Sequence, residues 1–227
     1  MILIGSVVTL VLFLFVGWLI ATEMFQQRTW RRRVASGDDE IVGALILEAT
    51  AGWRLARPPR DTPANLWAGV QRAELVAVTA EIATVQSSAE GEFRFVEGRR
   101  EQVSTALDEA FVLAAKLVEM MLYDVPNLSL GSVRVDVYAT FTADDGAARQ
   151  QPILTTTAIR SAADTVDWEE LSPVAILACF DTGFEASETG VARPIALSPL
   201  VGSRPTLEEP QLQSAPPSPS SSGDERD

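Results

Sequence analysis

Hydrophobic and polar positions change rhythm several times along this chain. Residues 1–22 contain no Asp, Glu, Lys or Arg, and Ile, Leu, Val and Phe dominate them. As a helix this run is about 33 Å long at 1.5 Å per residue, enough for a hydrocarbon core of roughly 30 Å. It has no polar face, which a helix at the surface of a soluble domain would show. A cleaved signal peptide needs a basic region before a shorter apolar core, then a small-residue cleavage site. Nothing basic precedes this run, and Thr22-Glu23-Met24-Phe25 follows it. The pattern predicts an uncleaved transmembrane anchor over 1–22 and a basic juxtamembrane stem over 23–36. Trp18 and Trp30 suit the aromatic belt at a membrane interface, and Arg28, Arg31, Arg32 and Arg33 place the positive charge on the C-terminal side. The expected topology in the cell membrane is single-pass, with the N-terminus outside and a cytoplasmic domain spanning 37–197. The lipid bilayer is then the partner of residues 1–22.

Beyond the stem, Ile41, Leu45 and Ala49 form one stripe, with Val42, Ile46 and Trp53 beside it. This predicts a helix over 37–57, capped by Ser36 and favoured by Asp38, Asp39 and Glu40 at its positive end. Pro58, Pro59 and Pro63 predict an irregular connector over 58–72. From Ala73 the period becomes two and β-branched residues are frequent, which predicts one strand to Val85. A turn in 86–92 then leads to a return strand carrying Phe93 and Phe95, a first β-hairpin. Residues 98–125 read as the longest soluble helix, with Val103, Leu107, Ala110, Phe111, Ala114, Leu117, Val118 and Met121 at helical spacing and Pro126 ending it. Met120 and Met121 fit a buried core.

Residues 132–160 give the clearest hairpin. Val133, Val135, Val137, Ala139 and Phe141 alternate with Arg134, Asp136, Tyr138, Thr140 and Thr142. Asp144-Asp145-Gly146 makes the turn, and Thr155, Thr156 and Thr157 lie on the return strand from Gln151. A last helix is expected from Trp168, capped by Asp167. The expected fold class is α+β: two β-hairpins forming an antiparallel sheet covered by helices. From Ser198 the chain is rich in Pro and Ser with little to bury, so a disordered acidic tail is expected over 198–227.

Charge sharpens this picture. The formal net charge is −13. Glu23 against four arginines leaves residues 1–36 at +3, and two arginines against five carboxylates leave 198–227 at −3, so the middle carries −13. An acidic body is repelled by an anionic leaflet and makes a poor nucleic-acid binder. There is no histidine, which excludes Ser-His-Asp and Cys-His catalysis and His-ligated zinc. One cysteine, Cys179, excludes an intrachain disulfide, and its apolar neighbours predict a core position. Lys116, the only lysine, suits a solvated or snorkelling role.

The run from Val135 to Leu154 bears one local resemblance. It is similar, over some twenty residues, to the Mrr-like restriction-endonuclease core, in which a strand aspartate precedes a turn and a Gln/Glu-x-Lys strand. The resemblance sets Asp136 and Gln151 in the first two places. Ile153 stands in the place of the lysine, so the resemblance implies at most a degenerate nuclease-like domain. Asp136, Asp144 and Asp145 lack the spacing of an EF-hand loop and fit a solvated turn better. Glu119 with Asp124, and Glu169 with Glu170, make no convincing acid/base pair, and no Gly-rich phosphate loop is present. No cofactor and no metal is expected.

Two function classes follow. The first is a non-enzymatic interaction domain, a scaffold or accessory subunit docking an unidentified protein, a membrane complex or a second copy of itself. The second is a metal-assisted hydrolase using Asp136. For the first, the polar face of the second hairpin is the candidate surface: Arg134, Asp136, Tyr138, Thr140 and Thr142, either docked or solvated.

Overall fold

The computed structural model describes residues 38–202, apart from Asp61, Glu97, Asn127, Ser129 and Asp144. The expected anchor and stem, with Trp18, Arg28, Trp30, Arg31, Arg32 and Arg33, lie outside the described residues, as do residues 203–227. Among the described residues no helix is long and apolar enough to cross a membrane.

Helix α1, Asp39–Leu55, starts where acidic residues meet the apolar stripe. Its cap is Asp38, whose side chain accepts from the Glu40 amide, so its carboxylate satisfies an amide that the first turn leaves open. Arg54 in the last turn complements the opposite end of the dipole. The expected connector over 58–72 is largely a second helix, α2, Ala64–Gln71. Pro63 sits at its N-cap, just outside the helix, where a missing amide costs nothing. Trp67 and Val70 are buried in the core, which is why the segment folds despite its prolines.

The expected strand 73–85 is two strands. β1, Glu74–Val78, and β2, Ile82–Ser88, pair antiparallel across a turn at Thr79-Ala80-Glu81. The Thr79 hydroxyl accepts from the amides of Glu81 and Ile82, making the turn without Gly, Pro, Asn or Asp. The first hairpin therefore lies inside that run. Phe93 and Phe95 belong to a separate ribbon, β3 Phe93–Val96 with β4 Arg99–Gln102, closed by Gly98 at φ 80°. The long helix accordingly begins later than expected, as α3, Ala106–Glu119. Thr105 and Asp108 form a reciprocal capping box at its start. Val103 stays outside it and is exposed. A π-helical turn, Met120–Asp124, extends α3 towards Pro126, and both methionines are buried.

β5, Ser132–Thr142, and β6, Ala148–Ile159, form the expected second hairpin, which begins its return three residues earlier than expected. The last expected helix is instead a series of short pieces. Asp167 accepts from the amides of Glu169 and Glu170 but caps only a turn. The chain continues from helix α4, Arg160–Ala163, to α5, Pro173–Leu177, then to β7, Asp181–Ala186, and β8, Ala192–Arg193. Cys179 is exposed rather than in the core.

The fold is α+β, as expected, but the sheet is mixed rather than antiparallel. Its order is β1-β2-β5-β6-β7-β8, and β2 runs parallel to β5. The early turn at Thr79 forces this. It leaves β2 ending at Ser88, and a chain that must return beside it needs a crossover, which the ribbon and α3 supply. One sheet face carries Val85, Val133, Val135, Val137 and Leu154, which join Val42, Ile46, Trp67, Phe111 and Leu117 in a single core.

Candidate functional site

The opposite face of β5 holds the residues singled out from the sequence. Strand alternation brings Arg134, Asp136 and Tyr138 to it, and pairing sets Thr155 beside Asp136 and Thr157 beside Arg134. Much of this face is neither solvated nor free. Arg134 is 7% exposed and Asp136 2%. Arg134 Nε donates to Asp136 Oδ1 at 2.9 Å, and Thr155 Oγ1 donates to the same oxygen at 2.6 Å. Arg134 Nη1 donates to the carbonyls of Ser198, at 3.0 Å, and Pro199, at 3.5 Å. Its Nη2 is buried without a hydrogen-bond partner among the described residues.

Those carbonyls belong to an extended segment, residues 194–202, that crosses the polar face as a strap. The Ile195 amide donates to Pro152 O on β6. Gly202, at φ 110°, then passes so close to β1 that a Cβ there would lie 2.5 Å from Val78 O. Ser198 and Pro199, just past the expected domain end at 197, are bound to the domain, and the described part of the strap extends to 202. The expected site divides in consequence. Arg134 and Asp136 form the buried floor of the strap, Tyr138 is half-buried, and Thr140 and Thr142 are exposed. The Tyr138 phenol is held above its usual pKa, first by burial and then by the Asp136 carboxylate, with Arg134 opposing.

The nuclease-like arrangement does not assemble. Asp136 pairs with Thr155 and Gln151 with Ala139, so alternation points Asp136 and Gln151 to opposite faces. Ile153 lies in the core. Asp145 is bound by Arg149 at 2.7 Å at the hairpin turn. Lys116 pairs with Glu119 at 2.8 Å on the half-exposed side of α3. The Asp124 carboxyl is raised by burial, with Lys116 opposing and Glu119 adding to the shift. Among the described residues no group of three or more His, Cys, Asp and Glu could hold a metal ion.

Sequence reasoning missed a cleft of about 510 Å³ that adjoins the polar face through Gln86 and Tyr138. Arg54 from the end of α1 and Arg72 from the end of α2 line it, with Glu74, Gln86 and Gln150 from the sheet. Each arginine is anchored by one donor: Arg54 Nη2 to Ala73 O and Arg72 Nη2 to Ser88 O, both at 3.2 Å. Gln86 Nε2 donates to Glu74 Oε2 at 3.3 Å. No periodicity links these positions, which come from two helices and three strands, so no sequence signal joins them.

The α+β domain with a mixed sheet is where comparison with other proteins ends: no protein-family model, curated protein or solved structure matches the chain.

Proposed function

We propose that this is a single-pass membrane-anchored protein whose cytoplasmic domain is a non-enzymatic interaction module, a scaffold or accessory subunit of a membrane-associated assembly. The apolar run over 1–22 and the arginines after it support the anchor and its orientation. The observation that carries the interaction reading is the grip of Arg134 on the Ser198 and Pro199 carbonyls. A sheet face that holds one extended segment through main-chain carbonyls has the chemistry for holding peptide. The exposed continuation of that face, at Thr140 and Thr142, is open to a partner. Hydrolysis through Asp136 draws no comparable support, because Arg134 and Thr155 already engage its carboxylate under the strap.

The test is recovery of the tagged full-length chain from membranes. A second protein, or a second copy of the chain, should co-purify in defined ratio, and Thr140→Arg with Thr142→Arg should reduce it at least fivefold. Both positions are exposed, so the fold should survive. A chain recovered alone and monomeric defeats the reading. Protease added to intact cells should spare the domain; digestion from outside would reverse the orientation.

A further inference from the structure

The cleft beside Tyr138 contrasts with the overall charge of the domain. Residues 37–197 carry −13 overall, yet two guanidinium groups converge here against one carboxylate, Glu74, which Gln86 already contacts. Its walls are amides, hydroxyls and guanidinium groups rather than an apolar lining, which disfavours an apolar ligand. We infer that this cleft binds the carboxylate side chains of an acidic, extended peptide segment on a partner protein. The inference rests on the interaction reading above and names the chemistry of the partner.

The geometry supplies what such a ligand needs. A guanidinium has five N–H donors in a planar fork. Among the described residues, Arg54 and Arg72 each spend one on a backbone carbonyl, so the rest are available for paired bonds to a carboxylate. The Gln86 and Gln150 amides can each donate to and accept from a peptide backbone. The Tyr138 hydroxyl has no protein hydrogen bond among the described residues and adds a donor. A local positive spot on an acidic body also gives specificity. An acidic segment is repelled from most of the surface and drawn to the cleft, with an on-rate that falls as salt rises. Arg54 lies in the last turn of a 17-residue helix, about 22 Å from Asp39 at its start at 1.5 Å per residue.

Fluorescence anisotropy of a dye-labelled tetraglutamate peptide, with full-length chain in non-ionic detergent, tests this, and tetraglutamine is the control. Tetraglutamate should bind saturably at low salt, weaken as salt rises, and exceed tetraglutamine at least tenfold in affinity. Arg54→Gln with Arg72→Gln should remove the binding. Those arginines also anchor backbone carbonyls, so a second variant that spares the fold is needed. Gln150→Glu, at an exposed strand position, adds a repelling carboxylate and should weaken binding at least fivefold with the melting temperature unchanged. Absence of saturable binding, equal affinity for tetraglutamine, or indifference to Gln150→Glu overturns the inference. A chain that recovers a membrane partner yet binds no tetraglutamate overturns the cleft assignment alone and leaves the interaction reading standing.

Discussion

Arg134 and Asp136 lie two positions apart on β5, joined at 2.9 Å between Nε and Oδ1 and sealed beneath the strap. Residues two apart on a strand share a face, so the pair forms within one strand. Thr155 then engages the same carboxylate oxygen from the neighbouring strand, tying β5 to β6.

Breaking this pair should be costly. Asp136→Ala leaves a buried guanidinium without its counter-charge, and Arg134→Ala leaves a buried carboxylate. Each should destabilise the domain by about 3–5 kcal/mol in urea unfolding. Replacing both with apolar residues of similar volume, Arg134→Met with Asp136→Leu, should recover most of the loss. For the same reason, alanine at Arg134 cannot serve as a surface probe of partner binding.

The strap should be a measurable part of the fold. A chain ended after Arg193 loses the carbonyls that Arg134 Nη1 holds, and hydrogen bonds to a charged group contribute about 1.5–3 kcal/mol. Thermal unfolding should fall by roughly 3–12 °C relative to a chain ended after Gly202. Equal melting of the two chains would mean that the strap adds nothing to stability.

Gly69 on α2 lies against Leu113 on α3. A Cβ there would lie 2.8 Å from both Cδ atoms of Leu113, which is buried. Gly69→Val should destabilise by about 1–3 kcal/mol through overpacking. In combination with Leu113→Ala, which opens the space, its added cost should shrink well below its cost alone, as coupling between touching residues requires. Additive losses would show that the two side chains do not compete for one space.

Tyr123 and Tyr138 are the only tyrosines, so tyrosinate absorbance reports them alone. Burial raises both phenol pKa values above the ordinary one of about 10. Asp164, which accepts the Tyr123 hydrogen bond, raises that phenol further, with Arg160 and Trp168 opposing. The native titration should therefore run at higher pH than the same chain in concentrated urea. The sign follows from linkage. Between the unfolded and folded pKa values the native state binds more protons, so stability contributed by the neutral phenols is present below pH 10 and is lost as pH rises through the folded values. Coincident native and unfolded titration curves would contradict these upward shifts.

The sequence by itself determined the elements whose signals are local. The α1 stripe, the apolar face of α3 and the alternation of β5 each repeat over enough residues to fix the type of element. The α+β class followed from those. Local signals failed wherever one rhythm continued across a break. The turn at Thr79 has no Gly, Pro, Asn or Asp, so β1 and β2 read as a single strand. α2 looked irregular because its prolines were visible and the core that receives Trp67 was not. β7 followed an apolar run that resembled a helix, and only pairing with Leu154 and Thr156 made it a strand.

Tertiary structure alone decided the character of the site. Alternation in β5 set Arg134, Asp136 and Tyr138 on one face but could not tell whether that face was wet. The strap, some sixty residues further on, made its floor dry and bound Arg134. The cleft arose in the same way, from Arg54 and Arg72 at the ends of two helices brought to the sheet by packing. Periodicity reports which way a side chain points relative to its own element. What meets it there depends on contacts between segments far apart in the chain, and those are set by the packing of the whole domain.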